Sequence, residues 1–444
     1  MWRKLLLILL LAGAFAALLF IKPWRSVEIS RPRIIDRLPV ATVIGQSNLL
    51  NLSKNLSQTL YYYQIPFRDV LSPNIILSRS KKYGVDSQNP VYFFINDSIS
   101  GKDWGILFSV SDERKIELGI QRIAKSTEIR DTILNTKKMV YSPEFNIFFA
   151  YEKDWLLIYK GDHCTQILER ITSSKINGIH PRWRNFLTVA NFKHDDLIAE
   201  IKSDGLKKFG LKSTLIRLNN DSTHFILNTI AEHYDTIAFQ LKDGGKGFPK
   251  HEFTRQLINL NLDFSYLKSH PDHPYNFVLD SIASKIGFPV DDFWQSFNGN
   301  IAFRRGGIEY IREKYIVSEL DDDFNVTEVS KTRRVKISNF SLFVNTNKSS
   351  EILFNHVKSK GIISEDGKKY RFIFSPPFNQ HLRDSSMTFY TSQYEPVVNP
   401  LLNNQILWTF NYTPVQFYID STATKTVYGR IRFPLKKFID DYLK

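Results

Sequence analysis

The chain has 444 residues, 43% hydrophobic and 14% aromatic, with a formal charge of +14. That aromatic content excludes a disordered chain, and 20 Gly with 18 Pro exclude a collagen-like or low-complexity one. The single cysteine, Cys164, excludes an internal disulfide and a cysteine-rich metal site, and no long basic run or zinc-finger signature turns the charge into a nucleic-acid footprint.

The N-terminus reads "MWRKLLLILLLAGAFAALLFIKPWR". Arg3 and Lys4 precede an unbroken apolar stretch from Leu5 to Ile21. As a helix it reaches about 25 Å, just short of a ~30 Å hydrocarbon core. Trp2, Trp24, Lys22 and Arg25 flank it as interfacial anchors. Ala14-Phe15-Ala16 has the form of a cleavage site, but the apolar run continues beyond it. Residues 1–25 therefore read as an uncleaved signal anchor, an N-terminal transmembrane helix. Counting the basic flanks would keep the body in the cytoplasm. The short charged tail ahead of the apolar run is instead an export pattern, and it places the bulk of the chain in the periplasm, anchored once in a bacterial inner membrane. Residues 26–37 read as a basic tether. Lys22, Arg25, Arg31, Arg33 and Arg37 are the candidate membrane-surface residues, facing anionic headgroups; the alternative is that they pair with acidic groups of the body.

Beyond the tether an apolar strand, a polar break and an amphipathic helix recur. Residues 40–56, 104–123, 155–171, 186–201 and 340–357 all follow this pattern, with Asn48, Asp112, Asp162, Asp195 or Asn345 in the breaks. Between them "NIFFAYEKDWLLIYK", "KSTLIRLNNDSTHFILNTI" and "ILWTFNYTPVQFYIDSTATKTVYGRIRF" read as hairpins. The predicted fold is α+β. Antiparallel sheets carry helices packed on one face, in two related lobes, 38–180 and 181–444.

Several stretches resemble a family of uncharacterised, membrane- or lipid-anchored bacterial envelope proteins. They are "LPVATVIGQSNLLNLSKNL", "ILFSVSDERKIELGIQRI", "DDFWQSFNGNIAF" and the closing "NPLLNNQILWTFNYTPVQFYID" with "FPLKKFIDDYLK". The resemblance implies a fold and a location, and carries over no catalytic residue. This chain departs from the lipidated members in having no lipid-attachment cysteine after its apolar segment.

The candidates for chemistry give way to structural readings. In "DDFWQSFNGNIAFRRGG", Phe293, Trp294 and Phe297 form a helical face. Asn298-Gly299 ends it, a strand follows, and Gly306-Gly307 permits a turn. Arg304 and Arg305 would point to opposite faces of that strand and cannot grip one anion together. "LKDGGKGFPKHE" fails the phosphate-loop pattern and reads as a flexible surface turn. "HPDHPY" (His270 to Tyr275) lacks the ligand count of a zinc site. "DDDFNVTE" (Asp321 to Glu328) lacks the turn glycine of a calcium loop. Cys164 opens a helix and reads as buried. No catalytic, cofactor-binding or metal-binding residue is assigned, and no nucleic-acid partner. The leading functional reading is a non-enzymatic binding or scaffolding protein of the envelope. A hydrolase whose site converges only in three dimensions, or a carrier of lipid or another apolar ligand, is the alternative.

Overall fold

The computed structural model describes residues 33–63, 75, 77, 80–98, 101–124, 128–134, 137–172, 178–190, 195–221, 223–273, 275–276, 280–281, 284–285, 287–320, 326–347, 350–372, 375–410 and 413–435. They form two compact units. One comprises the chain up to Val40 and Ser78–Val189; the other joins Ala41–Leu77 to Ala190–Lys444.

In the first unit six strands pair antiparallel, in the order 91–98, 101–109, 155–160, 147–152, 137–142, 130–134. Period-two alternation sends Leu157 and Tyr159 inward, and Tyr92, Phe94 and Leu107 are buried with them. Three helices, Glu113–Ile123, Cys164–Thr172 and Pro181–Val189, bury Ile116, then Ile167 and Ile171, then Trp183 and Phe186. The Trp183 ring packs edge-on against Tyr92 and Phe186, and its indole N–H donates to the Pro39 carbonyl at 2.8 Å. Residues 33–37, expected in the tether, form a short 3-10 helix whose Ile34 and Ile35 are buried.

The second unit is built on an unbroken series of antiparallel neighbours: 43–47, 197–201, 211–220, 224–233, 426–434, 413–423, 404–410, 254–263, 297–320, 326–346, 386–390 and 379–383. The strand Val43–Ser47 runs into the helix Leu49–Tyr62, capped by the Asn48 side chain, which accepts from the Asn51 N–H at 3.1 Å. At the other end of the sheet an aromatic core gathers Phe297, Phe354, Phe378 and Phe389, with Phe264, Phe293, Trp294 and Phe372 packed against it. The helices Val290–Ser296 and Ser350–Ser359 supply Phe293, Trp294 and Phe354.

This architecture corrects the expected α+β fold with helices on one face and two related lobes. The described residues are mostly antiparallel strand, and the units are unequal and interleaved, with 41–77 belonging to the later part of the chain. The segment 186–201 shows one source of the error. Its pattern predicts strand then helix; the structure has the helix Pro181–Val189 followed by the strand Leu197–Ile201. Trp183 and Phe186, three residues apart, give the first half a buried helical face, and pairing with Val43–Ser47 fixes the second half as strand. No helix among the described residues is long and apolar enough to cross a membrane, and the expected transmembrane helix at 1–25 lies outside the described residues.

The longest elements were not anticipated. Phe297–Leu320 and Val326–Thr346 form one hairpin. Gly299 (φ +86°) and the pair Gly306 and Gly307 (φ +152° and +79°) sit at two breaks in its register. They are β-bulges, not the helix stop and turn expected of them. Past Gly306 on the first strand and before Ser341 on the second, the hairpin has no other strand beside it among the described residues and continues as a two-stranded ribbon.

Candidate functional site

The base of that ribbon carries a cavity. Its floor is made of cross-strand neighbours on the hairpin: Phe303 opposite Leu342 and Arg305 opposite Phe340. Val335 and Ile337 extend the floor along the ribbon. The facing wall is Arg371 and Phe372, at the end of the strand Lys369–Phe372, with the loop Ser375–Pro377. Ser375 fixes that loop, since its hydroxyl accepts from the Phe372 N–H at 2.9 Å. The space enclosed is about 600 Å³, within the range of small-ligand sites.

The walls are apolar and aromatic. Phe372 stands 4.5 Å, ring to ring, from the buried Phe378, so the cleft backs directly onto the aromatic core. Among the described lining residues, charge enters through two arginines. Arg371 is ion-paired to Asp366 at 2.9 Å. Arg305 is exposed, makes one long contact (Nε to Ser338 Oγ, 3.4 Å) and has no carboxylate partner among the described residues. A cleft of this kind can take an apolar body and offer a guanidinium to one anionic group.

Arg304 goes the other way, as strand alternation requires. It lies over the Phe248 ring at 5.3 Å and donates to the Pro249 carbonyl at 3.4 Å. Burial lowers its pKa from the usual guanidinium value. It lines a separate cavity of about 470 Å³ with His251, Phe253 and Asn339. Burial and the Arg304 charge lower the His251 pKa.

No protein-family model matches the chain, and no curated protein matches it. Solved structures of TP0453 show a slight likeness. Crystal form IV is 11% identical, with a TM-score of 0.31 over 45% of this chain and 79% of that one. Crystal form I is also 11% identical, at 0.31 over 47% and 82%.

The other sequence candidates fall apart in space. His270 stacks on Tyr266 at 4.1 Å and His273 on Tyr275 at 5.3 Å, and no group of three metal-ligating side chains converges among the described residues. Cys164 is buried at the start of its helix, and burial pushes its thiol up to about 12, far from a reactive thiolate. The adjacent His163 turns to the buried Asp103 instead.

Residues 242–248 of "LKDGGKGFPKHE" are not a flexible turn. Asn259 makes paired hydrogen bonds with the Phe248 backbone (3.0 and 2.9 Å), and Asn300 does the same with Lys246 (2.8 and 2.9 Å). Gly245 and Gly247 let this strap lie against Asn261 and Asn259, where a Cβ would come within 2.6 and 2.8 Å of those side chains. Residues 321–325 of the acidic loop lie outside the described residues, as do Lys22, Arg25 and Arg31. Arg33 opens the 3-10 helix. Arg37 ends it, with Nη1 3.3 Å from the Ile171 carbonyl and 4.0 Å from Glu152.

Arg305 stands out in the sequence, but its partners do not. Phe303, Phe340 and Phe372 come from three strands that nothing in their spacing links. The one available signal was the pair Pro376-Pro377 shortly after the aromatic stretch "YRFIF", which marks a rigid loop.

Proposed function

We propose that this chain is a non-enzymatic binding protein of the bacterial cell envelope, held at the membrane by its apolar N-terminal segment, and that it takes an apolar ligand with one anionic group, such as a fatty acid or lysophospholipid. One observation carries the reading: the cleft sets Phe303, Phe340 and Phe372 beside Arg305, an exposed guanidinium with no carboxylate partner among the described residues. Of the readings open to the sequence, a carrier needs such a groove, whereas a scaffold needs a flat apolar patch. The compartment rests on the export-type N-terminus and on the resemblance to envelope proteins.

The test is titration of the detergent-solubilised full chain with a fluorescent fatty acid, repeated with its uncharged methyl ester. Saturable binding that weakens about tenfold on Arg305→Gln supports the reading, since a charge-assisted hydrogen bond contributes roughly 1.5–3 kcal/mol. Binding of acid and ester that is equal, and indifferent to Arg305→Gln, removes it.

A further inference from the structure

The ribbon beyond Gly306 has two unlike faces. Residues directly opposite in the register share a face, so one face carries Glu309, Tyr315, Val317 and Glu319 with Ile337, Val335, Arg333, Lys331 and Val329. That face neutralises itself. Lys331 pairs with Glu319, Arg333 lies over the Tyr315 ring at 5.3 Å, and Val317, Val329, Val335 and Ile337 are half-buried.

The other face carries Tyr310, Arg312, Lys314 and Ile316 with Lys336, Arg334, Thr332, Glu328 and Val326. Its four cations are all exposed, and none has a carboxylate partner among the described residues. Arg334 lies over the Tyr310 ring at 4.2 Å. Arg312 and Arg334 are direct cross-strand neighbours, a like-charge pair that destabilises a hairpin until an anion lies against it. Among these charges stand Tyr310, Ile316 and Val326, at 51%, 67% and 70% exposure.

We infer that this face of the ribbon docks on an anionic phospholipid surface. Anionic headgroups answer the four cations, and the interface also accepts Tyr310, Ile316 and Val326, as it accepts the mixed basic and apolar face of surface-seeking helices. A nucleic acid would satisfy the cations through its phosphates but leave Ile316 and Val326 in water. The inference is independent of the cleft, whose ligand binding can fail without affecting it.

The full chain is reconstituted into vesicles, and a fluorophore is placed on the ribbon through Ile316→Cys or, on the opposite face, Thr327→Cys; the native Cys164 is buried. Quenching by headgroup-labelled lipid reports contact of the ribbon itself, whatever holds the rest of the chain. The expected result is quenching at position 316 that exceeds that at 327, appears with phosphatidylglycerol but not with phosphatidylcholine alone, and fades with salt. Replacing Arg312, Lys314, Arg334 and Lys336 by Gln reduces it roughly tenfold or more, while exchanging Arg312 and Arg334 for Lys preserves it. Equal quenching at both positions, or quenching unchanged by the four glutamines, overturns the inference. So does a response to a DNA duplex with none to anionic vesicles, which would assign the face to nucleic acid.

Discussion

Asn259 is 3% exposed and stands in for a backbone partner at the end of the strap, using both ends of its amide on Phe248. Asn259→Ala leaves a backbone N–H and C=O buried without partners, and about 2–4 kcal/mol of stability is expected to go with them; denaturant unfolding reads this directly. Asp196 makes the opposite prediction. It is 2% exposed, burial raises its pKa, and the Asn55 amide at 2.8 and 2.7 Å offsets this only in part. A carboxyl whose folded pKa lies above its unfolded one costs stability at neutral pH, and that cost is relieved as pH falls through the raised value. Asp196→Asn is therefore expected to raise the melting temperature at pH 7, with the gain over the natural chain shrinking toward acid pH. At this scale the sequence was partly legible. Alternation alone separated Arg304 from Arg305, because two adjacent strand residues cannot face the same way. The asparagine strap was not legible, because an amide that replaces a backbone partner leaves no periodic trace.

Elements were legible where their faces differ. The unit from Val43 to Tyr62 reads correctly because an apolar strand gives way to a capping Asn48 and then to helical spacing. The hairpin 211–220 and 224–233 reads correctly because its strands alternate up to the turn at Asp221, which accepts from the Thr223 and His224 N–H groups at 2.7 and 2.6 Å. The long hairpin escaped because its outer half has little buried face to impose a period, so "IEYIREKYIVSEL" carries no clear alternation. Its bulges carry a prediction. A Cβ on Gly299 would lie 1.7 Å from the Leu262 carbonyl oxygen, whereas one on Gly287 (φ +66°) meets nothing within 4 Å. Gly287→Ala bears only the left-handed strain, about 1 kcal/mol. Gly299→Ala adds a clash with backbone and is expected to cost more than that by several-fold, read as a larger fall in melting temperature.

On the scale of the whole molecule, composition points to a folded, aromatic-rich protein, and one group of its aromatics forms a core of the second unit. The same aromatic core backs the cleft, so binding and stability are coupled there. Phe378→Ala, at a fully buried ring, is expected to cost about 3–5 kcal/mol and to weaken ligand binding as well, because Phe372 loses its support. Phe303→Ala, on the half-buried floor, is expected to weaken binding with a smaller loss of stability. Ligand binding in the cleft is tested by photolabelling of the full chain with a diazirine fatty acid, followed by mapping of the labelled peptides. Saturable labelling is expected on the peptides holding Phe303, Phe340 and Ser375–Pro377, competed by excess fatty acid and reduced by Arg305→Gln. Labelling that fails to saturate, or that saturates on other peptides while these remain unlabelled, would contradict it.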